Sequence, residues 1–297
     1  MTSAPIESFL SIGGVTFRVA CDDRRLATPG DGSLDAFVVA PRPPDVDIRA
    51  RWTAAPAGCG GRVVFDSGAT WRLLQCGDGF LFTFQSSLRS RRVYRTARFD
   101  RRFTAGDVEL SSSYFDEQRC DGAYALQYPL DELLMIHQLA QGKGVELHGA
   151  GVLDRAQRAW VFAGHSGAGK STIAQLWTNR PDVTLLSDER VVLRTDGESI
   201  VAYGTPWHGD ACLTSPLCGR LAGVFFLHHG SGHETRPIAP PLAAARLFSC
   251  AFLPFHTAGG VDSTLSALER IAREAPCRDL WFTPDASVID ALAPCMR

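Results

Sequence analysis

The stretch Gly164-His165-Ser166-Gly167-Ala168-Gly169-Lys170-Ser171 sets glycines, a lysine and a hydroxyl in the spacing G-x-x-x-x-G-K-[ST]. Residues of these types at this spacing suit the binding of a polyphosphate. The glycines let backbone N–H groups turn inward around phosphate oxygens. Lys170 supplies a positive charge for the β/γ-phosphates, and the Ser171 hydroxyl can hold Mg²⁺. Amides from Gly164 through Thr172, with Ser166, Gly167, Ala168 and Gly169 between them, form the expected cradle. The motif needs a strand before it and a helix after it. Ala159-Trp160-Val161-Phe162-Ala163 reads as a buried strand, and Thr172-Ile173-Ala174-Gln175-Leu176-Trp177 reads as a helix. The positive end of that helix then points at the phosphates. The bland counterpart, a glycine-rich turn that binds nothing, fits the flanking strand and helix less well.

An acidic pair follows soon after. Pro181-Asp182 breaks the helix, and Val183-Thr184-Leu185-Leu186-Ser187 reads as a strand ending at Asp188-Glu189. Carboxylates at the carboxyl end of a strand sit where ligands bind in open α/β sheets. One of the two can hold Mg²⁺, directly or through water, and the other can take a proton from an incoming hydroxyl. The alternative is an ordinary surface acidic pair. The acid lies on the very next strand, and no N-K-x-D guanine signature follows. That arrangement points to a phosphotransferase more than to a motor or a GTPase.

Taken together, Leu147-His148-Gly149-Ala150-Gly151-Val152, the phosphate loop and Leu186-Ser187-Asp188-Glu189 resemble the HPr serine kinase/phosphorylase superfamily, which includes phosphoenolpyruvate carboxykinases. Gly204-Thr205-Pro206-Trp207-His208-Gly209 is similar to the Gly-x-Pro-Trp segment of HPr-kinase-related proteins. The resemblance covers roughly residues 126–290. It implies an ATP- and Mg²⁺-dependent kinase acting on a hydroxyl, a serine of a protein or peptide; a tailoring kinase for a ribosomally made precursor peptide is one form. By the same resemblance Asp188 contacts the acceptor hydroxyl, His148 and Lys170 belong to the catalytic set, and Ser171, Asp188 and Glu189 hold the metal. The second acid is Glu189 where the family carries Asp, and the glycine-rich reverse-reaction signature has no close match here. Two other classes stay open: a nucleotide-binding regulator with slow hydrolysis, and a kinase of a small-molecule hydroxyl.

Several residues carry two readings. His148 is either a core histidine satisfied by backbone or a group that orients Asp188 or the acceptor. His165 contributes backbone to the loop with its side chain toward solvent. Trp207 and His208 either line an acceptor pocket or form a turn with a half-buried indole. Arg89, Arg91, Arg92, Arg95, Arg98, Arg101 and Arg102 fall in one window with Tyr94, Phe99 and Phe103. They suit docking of an acidic peptide or phosphate. A nucleic-acid patch has weaker support, since no binding motif accompanies it. A solvated strand face paired to Asp107, Glu109, Asp116 and Glu117 is the favoured reading.

The elements behind these residues follow from pattern. Residues 1–125 alternate short β-prone runs with Gly, Pro and Asp clusters. They read as a β-rich N-terminal domain suited to substrate docking. From Leu130 an apolar helical spacing begins, with Pro129 and Asp131 at its start. Strand and helix patterns then alternate, so 126–297 reads as an α/β domain of the HPr-kinase type. A second helix pattern at 264–272 reads as packing. The chain has 297 residues, 45% of them hydrophobic, with a formal charge of −2. Such a charge gives no global drive toward nucleic acid or membrane. No apolar stretch approaches the roughly 20 residues of a membrane span. The first residues lack a signal-peptide pattern, and nine cysteines are scattered without C-x-x-C pairing. A cytoplasmic, mostly reduced chain is the expectation.

Overall fold

The computed structural model describes residues 4–29, 32–86, 92–118, 123–178 and 180–296, with the side chains of Glu117 and Gln118 excepted. Arg89, Arg91 and Cys120 lie outside the described residues. The fold is mixed α/β, rich in strand, and divides into two compact units. The first unit comprises residues 1–11 and 15–134; the second comprises 12–14 and 135–297. The division falls after Leu134, later than the change in sequence texture at 125. Residues 123–128 belong with the first sheet for a physical reason. Ala125 donates its N–H to Leu26 O, and the Arg95 guanidinium donates to Gln127 O.

The first unit is built on an eight-stranded sheet: β1 (Ile6–Ile12), β2 (Val15–Cys21), β3 (Val46–Thr53), β4 (Arg62–Asp66), β5 (Trp71–Cys76), β6 (Gly79–Gln85), β7 (Val93–Phe99) and β8 (Ala105–Ser111). Its spatial order is β1-β2-β3-β8-β7-β6-β5-β4. Short helices α1 (Arg24–Ala27) and α2 (Ser112–Gln118) accompany it. Strand β3 shows the period-two logic: Val46, Ile48 and Ala50 are buried, while Arg49 and Arg51 point outward to Asp107 and Glu109. Arg98 stands opposite Asp107 on the neighbouring strand. Arg95 differs from its neighbours. It is buried, and its guanidinium lies 4.1 Å over the Phe84 ring. The arginine window is therefore not one continuous surface.

Cys59 and Cys76 are joined in a disulfide across the β4–β5 hairpin, against the expectation of scattered reduced thiols. Register explains the meeting. Arg62 pairs with Gln75, so the chain ahead of β4 runs alongside the end of β5. Cys21, Cys212, Cys218, Cys250, Cys277 and Cys295 are free.

The second unit begins within α3 (Leu130–Leu139). It holds β9 (Gly144–Leu153), β10 (Arg158–Ala163), α4 (Lys170–Thr178), β11 (Thr184–Ser187), β12 (Arg190–Arg194), β13 (Val201–Tyr203), β14 (Cys218–His229), β15 (Glu234–Pro237), α5 (Pro240–Cys250), β16 (Ala251–Phe252), α6 (Ala258–Glu274), β17 (Cys277–Phe282) and α7 (Ser287–Leu292). Its strands form one nine-stranded sheet. Strands β10, β14 and β17 are parallel neighbours, while β9 runs antiparallel to β10, β11 and β12. Strict strand–helix alternation does not hold. From β11 to β14 strand follows strand, joined by turns instead of crossover helices.

Strand β10 is apolar on both faces because both faces are covered. Trp160 and Phe162 pack with Ile173 and Trp177 of α4 and with Val288 of α7. Val161 and Ala163 pack with Leu247 of α5 and with Leu268 and Ile271 of α6. Among the described residues no helix is long and apolar enough to cross a membrane.

Candidate functional site

Strand direction brings three separate segments together. Strands β10 and β11 flank β9 and both run against it, so their carboxyl ends emerge at the same edge. The 164–169 loop follows β10, and Asp188-Glu189 follows β11. His148-Gly149 lies on β9 at that same edge, where Gly149 pairs with Ala163. Backbone bonds tie the three: Gly149 N–H donates to Glu189 O at 3.0 Å, and Gly164 N–H donates to His148 O at 3.5 Å.

The loop has the backbone its glycines predict. Gly167 and Gly169 have φ of +81° and +97°, the left-handed region that side chains disfavour. Gly167 O meets His229 Nε2, from the end of β14, at 3.0 Å. Helix α4 begins at Lys170, so the amides of its first turn open toward the loop. Lys170 is only 6% exposed, and its Nζ donates to His165 O at 3.0 Å. Burial lowers its pKa. The His165 and Ser166 side chains face solvent, and Ala168 is packed inward, so the Ala168 side chain has no access to a ligand.

A cleft of about 350 Å³ opens over this loop. Ser166, Gly167, Gly169, Lys170, Ser171 and Thr172 line one side, and His148, Glu189, Gly209 and Asp210 line the other. Glu189 Oε1 lies 2.9 Å from the Arg190 guanidinium and 3.7 Å from His148 Nε2. Arg190 itself stacks 4.5 Å over the Phe252 ring and approaches the buried Glu146 at 3.6 Å. Burial, then the positive charges of Lys170 and Arg190, hold His148 down to about pKa 4. His148 is therefore neutral at pH 7, and its contact with Glu189 is not an ion pair.

Asp188 takes a different place from its neighbour. It is fully buried and does not line the cleft. Its Oδ1 accepts from Gly209 N–H and its Oδ2 from Ala211 N–H, both at 3.0 Å. The turn between the two acids is set by Ser187, whose hydroxyl accepts from the N–H groups of Glu189 and Arg190 at 3.2 Å. Gly204 is required where it stands, since a Cβ there would lie 2.1 Å from Ser215 O. Thr205, buried beside it, donates to Arg190 O at 2.8 Å. Trp207 is buried and does not line the cleft; Gly209 and Asp210 do.

Reading the sequence singled out His148, the loop, Asp188 and Glu189, and the fold gathers all of them at one edge. It did not single out Asp210, Arg190, Phe252 or His229, which reach the site from strand ends and turns without a motif. Cys250, at the end of α5, was likewise unforeseen. It is buried close to Gly164, and burial pushes its thiol pKa up. Among the described residues no group of three or more His, Cys, Asp and Glu side chains could hold a metal ion unaided. The oxygen donors present, the Ser171 hydroxyl and the Glu189 carboxylate, suit a hard cation that takes its remaining ligands from phosphates and water. No family model matches the chain, and no curated protein matches it.

Proposed function

We propose that the protein is an HPr-kinase-like P-loop phosphotransferase that moves the γ-phosphoryl group of ATP to a hydroxyl, a serine of a protein or peptide. A tailoring kinase for a ribosomal precursor peptide is the concrete form that the family resemblance suggests. The observation that carries the reading is the conformation of the 164–169 loop. Two glycines at positive φ lead into a helix that starts at Lys170, with a carboxylate facing the loop across a polar cleft.

In this reading the amides from Gly167 through Thr172 and the Lys170 ammonium bind the β- and γ-phosphates. The Ser171 hydroxyl and a carboxylate of the acidic pair would hold Mg²⁺, which would supply charge neutralisation on the transferred group. The acceptor oxygen attacks the γ-phosphorus as the bond to the β-phosphate oxygen breaks. ADP leaves with that electron pair, and the hydroxyl proton passes to a carboxylate of the pair. His148, neutral and half-buried, lines the cleft and packs at 6.4 Å against the Phe252 ring. Positioning and charge stabilisation account for most of such catalysis, so few groups suffice.

The test uses the purified chain with Mg²⁺, γ-labelled ATP and a panel of serine-containing peptides. Label on a serine, absent in Lys170→Ala, supports the reading. Nucleotide binding with no transfer to any hydroxyl, small molecules included, overturns the kinase assignment.

A further inference from the structure

We infer that the two adjacent acids divide their tasks: Asp188 is a positioning residue that fixes the 209–211 loop as a wall of the cleft, and Glu189 is the carboxylate that meets the reacting groups. The inference rests on the phosphotransferase reading above and reverses the assignment that the family resemblance suggests for Asp188.

Asp188 is fully buried, and each carboxylate oxygen accepts one backbone N–H, from Gly209 and from Ala211. Such donors replace the water that a carboxylate loses on burial. Turning it toward a substrate hydroxyl would break both bonds and strand both donors. The loop it holds supplies Gly209 and Asp210 to the cleft, whereas Asp188 itself supplies nothing there.

Gly209 adds a second, independent argument. A Cβ on it would lie 3.1 Å from Asp188 Oδ2 and 3.1 Å from Glu189 Oε2. The main chain at 209 thus runs close against both acids, and glycine allows that approach. Glu189 has the opposite surroundings. It is half-exposed and lines the cleft, with Oε1 held by the Arg190 guanidinium at 2.9 Å.

The experiment combines amide hydrogen exchange over 207–212 with transfer from γ-labelled ATP to the panel of serine peptides and small-molecule hydroxyls in the presence of Mg²⁺, using the full chain. The variants are Asp188→Asn, Gly209→Ala and Glu189→Gln. Asp188→Asn replaces one accepting oxygen with a donor. Exchange at Gly209 and Ala211 should then rise about 10-fold, the equivalent of one hydrogen bond. Asp188→Asn should also lower turnover, and Gly209→Ala, which leaves both acids in place, should reproduce both the faster exchange and that fall. Glu189→Gln should leave exchange at the wild-type rate and lower turnover about 100-fold, the scale of one positioned acid–base group. Unchanged exchange in Asp188→Asn with turnover abolished would overturn the division, as would wild-type turnover in Glu189→Gln. A wild-type chain that transfers label to none of the peptide or small-molecule hydroxyls removes the phosphotransferase reading and Glu189's role with it. The exchange data would still decide whether Asp188 anchors the loop.

Discussion

Gly169 lies beneath the ring of Phe282: a Cβ at position 169 would come within 2.8 Å of the ring's outer carbon. Phe282 ends β17, so the last residue of a core strand packs over the 164–169 loop. Gly169 also has φ of +97°. Gly169→Ala therefore meets two obstacles, a steric one and a backbone one. The variant should lose nucleotide affinity by at least about 10-fold, the scale of one strained backbone position. Adding Phe282→Leu, which removes the ring's outer carbon while keeping an apolar side chain in the core, should relieve the clash and recover nucleotide affinity only in part, because the φ penalty stays. Calorimetric titration with ATP and melting of both variants check this.

Lys170 holds its ammonium against His165 O, inside the loop that it is expected to serve. Lys170→Ala should weaken ATP binding by about 10- to 100-fold, the scale of one charge-assisted hydrogen bond. The fold should persist, since the helix behind the loop packs through Ile173, Ala174 and Trp177. Titration beside a circular dichroism melt separates the two effects.

His148 gives a pH dependence of definite sign. Its folded pKa of about 4 lies below the usual histidine value of 6.5. Above pH 6.5 neither the folded nor the unfolded chain binds a proton there. Between pH 6.5 and 4 the unfolded chain binds one that the folded chain refuses, so stability falls as pH falls. Burial depresses His228 and His256 in the same direction. Urea unfolding at pH 7 and pH 5 should show a smaller loss in His148→Gln than in the wild type.

Arg95 and Arg98 lie on one strand and should respond differently. Arg95 is buried over Phe84, and it donates to Gln127 O at 2.8 Å and Tyr128 O at 3.5 Å. Arg95→Ala leaves a cavity and unsatisfied carbonyls, a cost of about 3 kcal/mol. Arg98 is exposed, and Arg98→Ala should stay within about 0.5 kcal/mol of the wild type. Equal effects on urea midpoints would contradict the assignment.

The Cys59–Cys76 bridge closes a loop with a sequence separation of 17. Loop closure of that size is worth about 3 kcal/mol through the unfolded chain. The Cys59→Ser/Cys76→Ser variant should unfold at lower urea than the oxidised wild type, and a reductant should shift only the wild type.

The site was more legible than the sheet that carries it. The 164–171 loop stands out because glycine, lysine and serine at fixed spacing are read locally. The buried strand β10 shows as an apolar run for the same reason. Pairing is not local. Nothing in the texture of Gly144–Leu153 says that it will lie between β10 and β11 and run against both, yet that register brings His148 to the cleft. Asp188 and Glu189 look equivalent as neighbours in sequence. The 209–211 loop, which follows β13, tells them apart by bonding Asp188 and leaving Glu189 to the cleft. Arg95 was grouped with surface arginines because charge patterning carries no information about which strand face is covered.

The three segments of the cleft are fastened to one another through main-chain groups, Gly149 to Glu189 and Gly164 to His148. Main-chain fasteners are indifferent to which side chain each residue carries. The frame and the reactive surface are thus separable inheritances. Positions 148, 189 and 210 can be recoded while the 164–169 loop keeps its shape. A combinatorial library over those positions would vary the chemistry of the cleft on a scaffold that already folds.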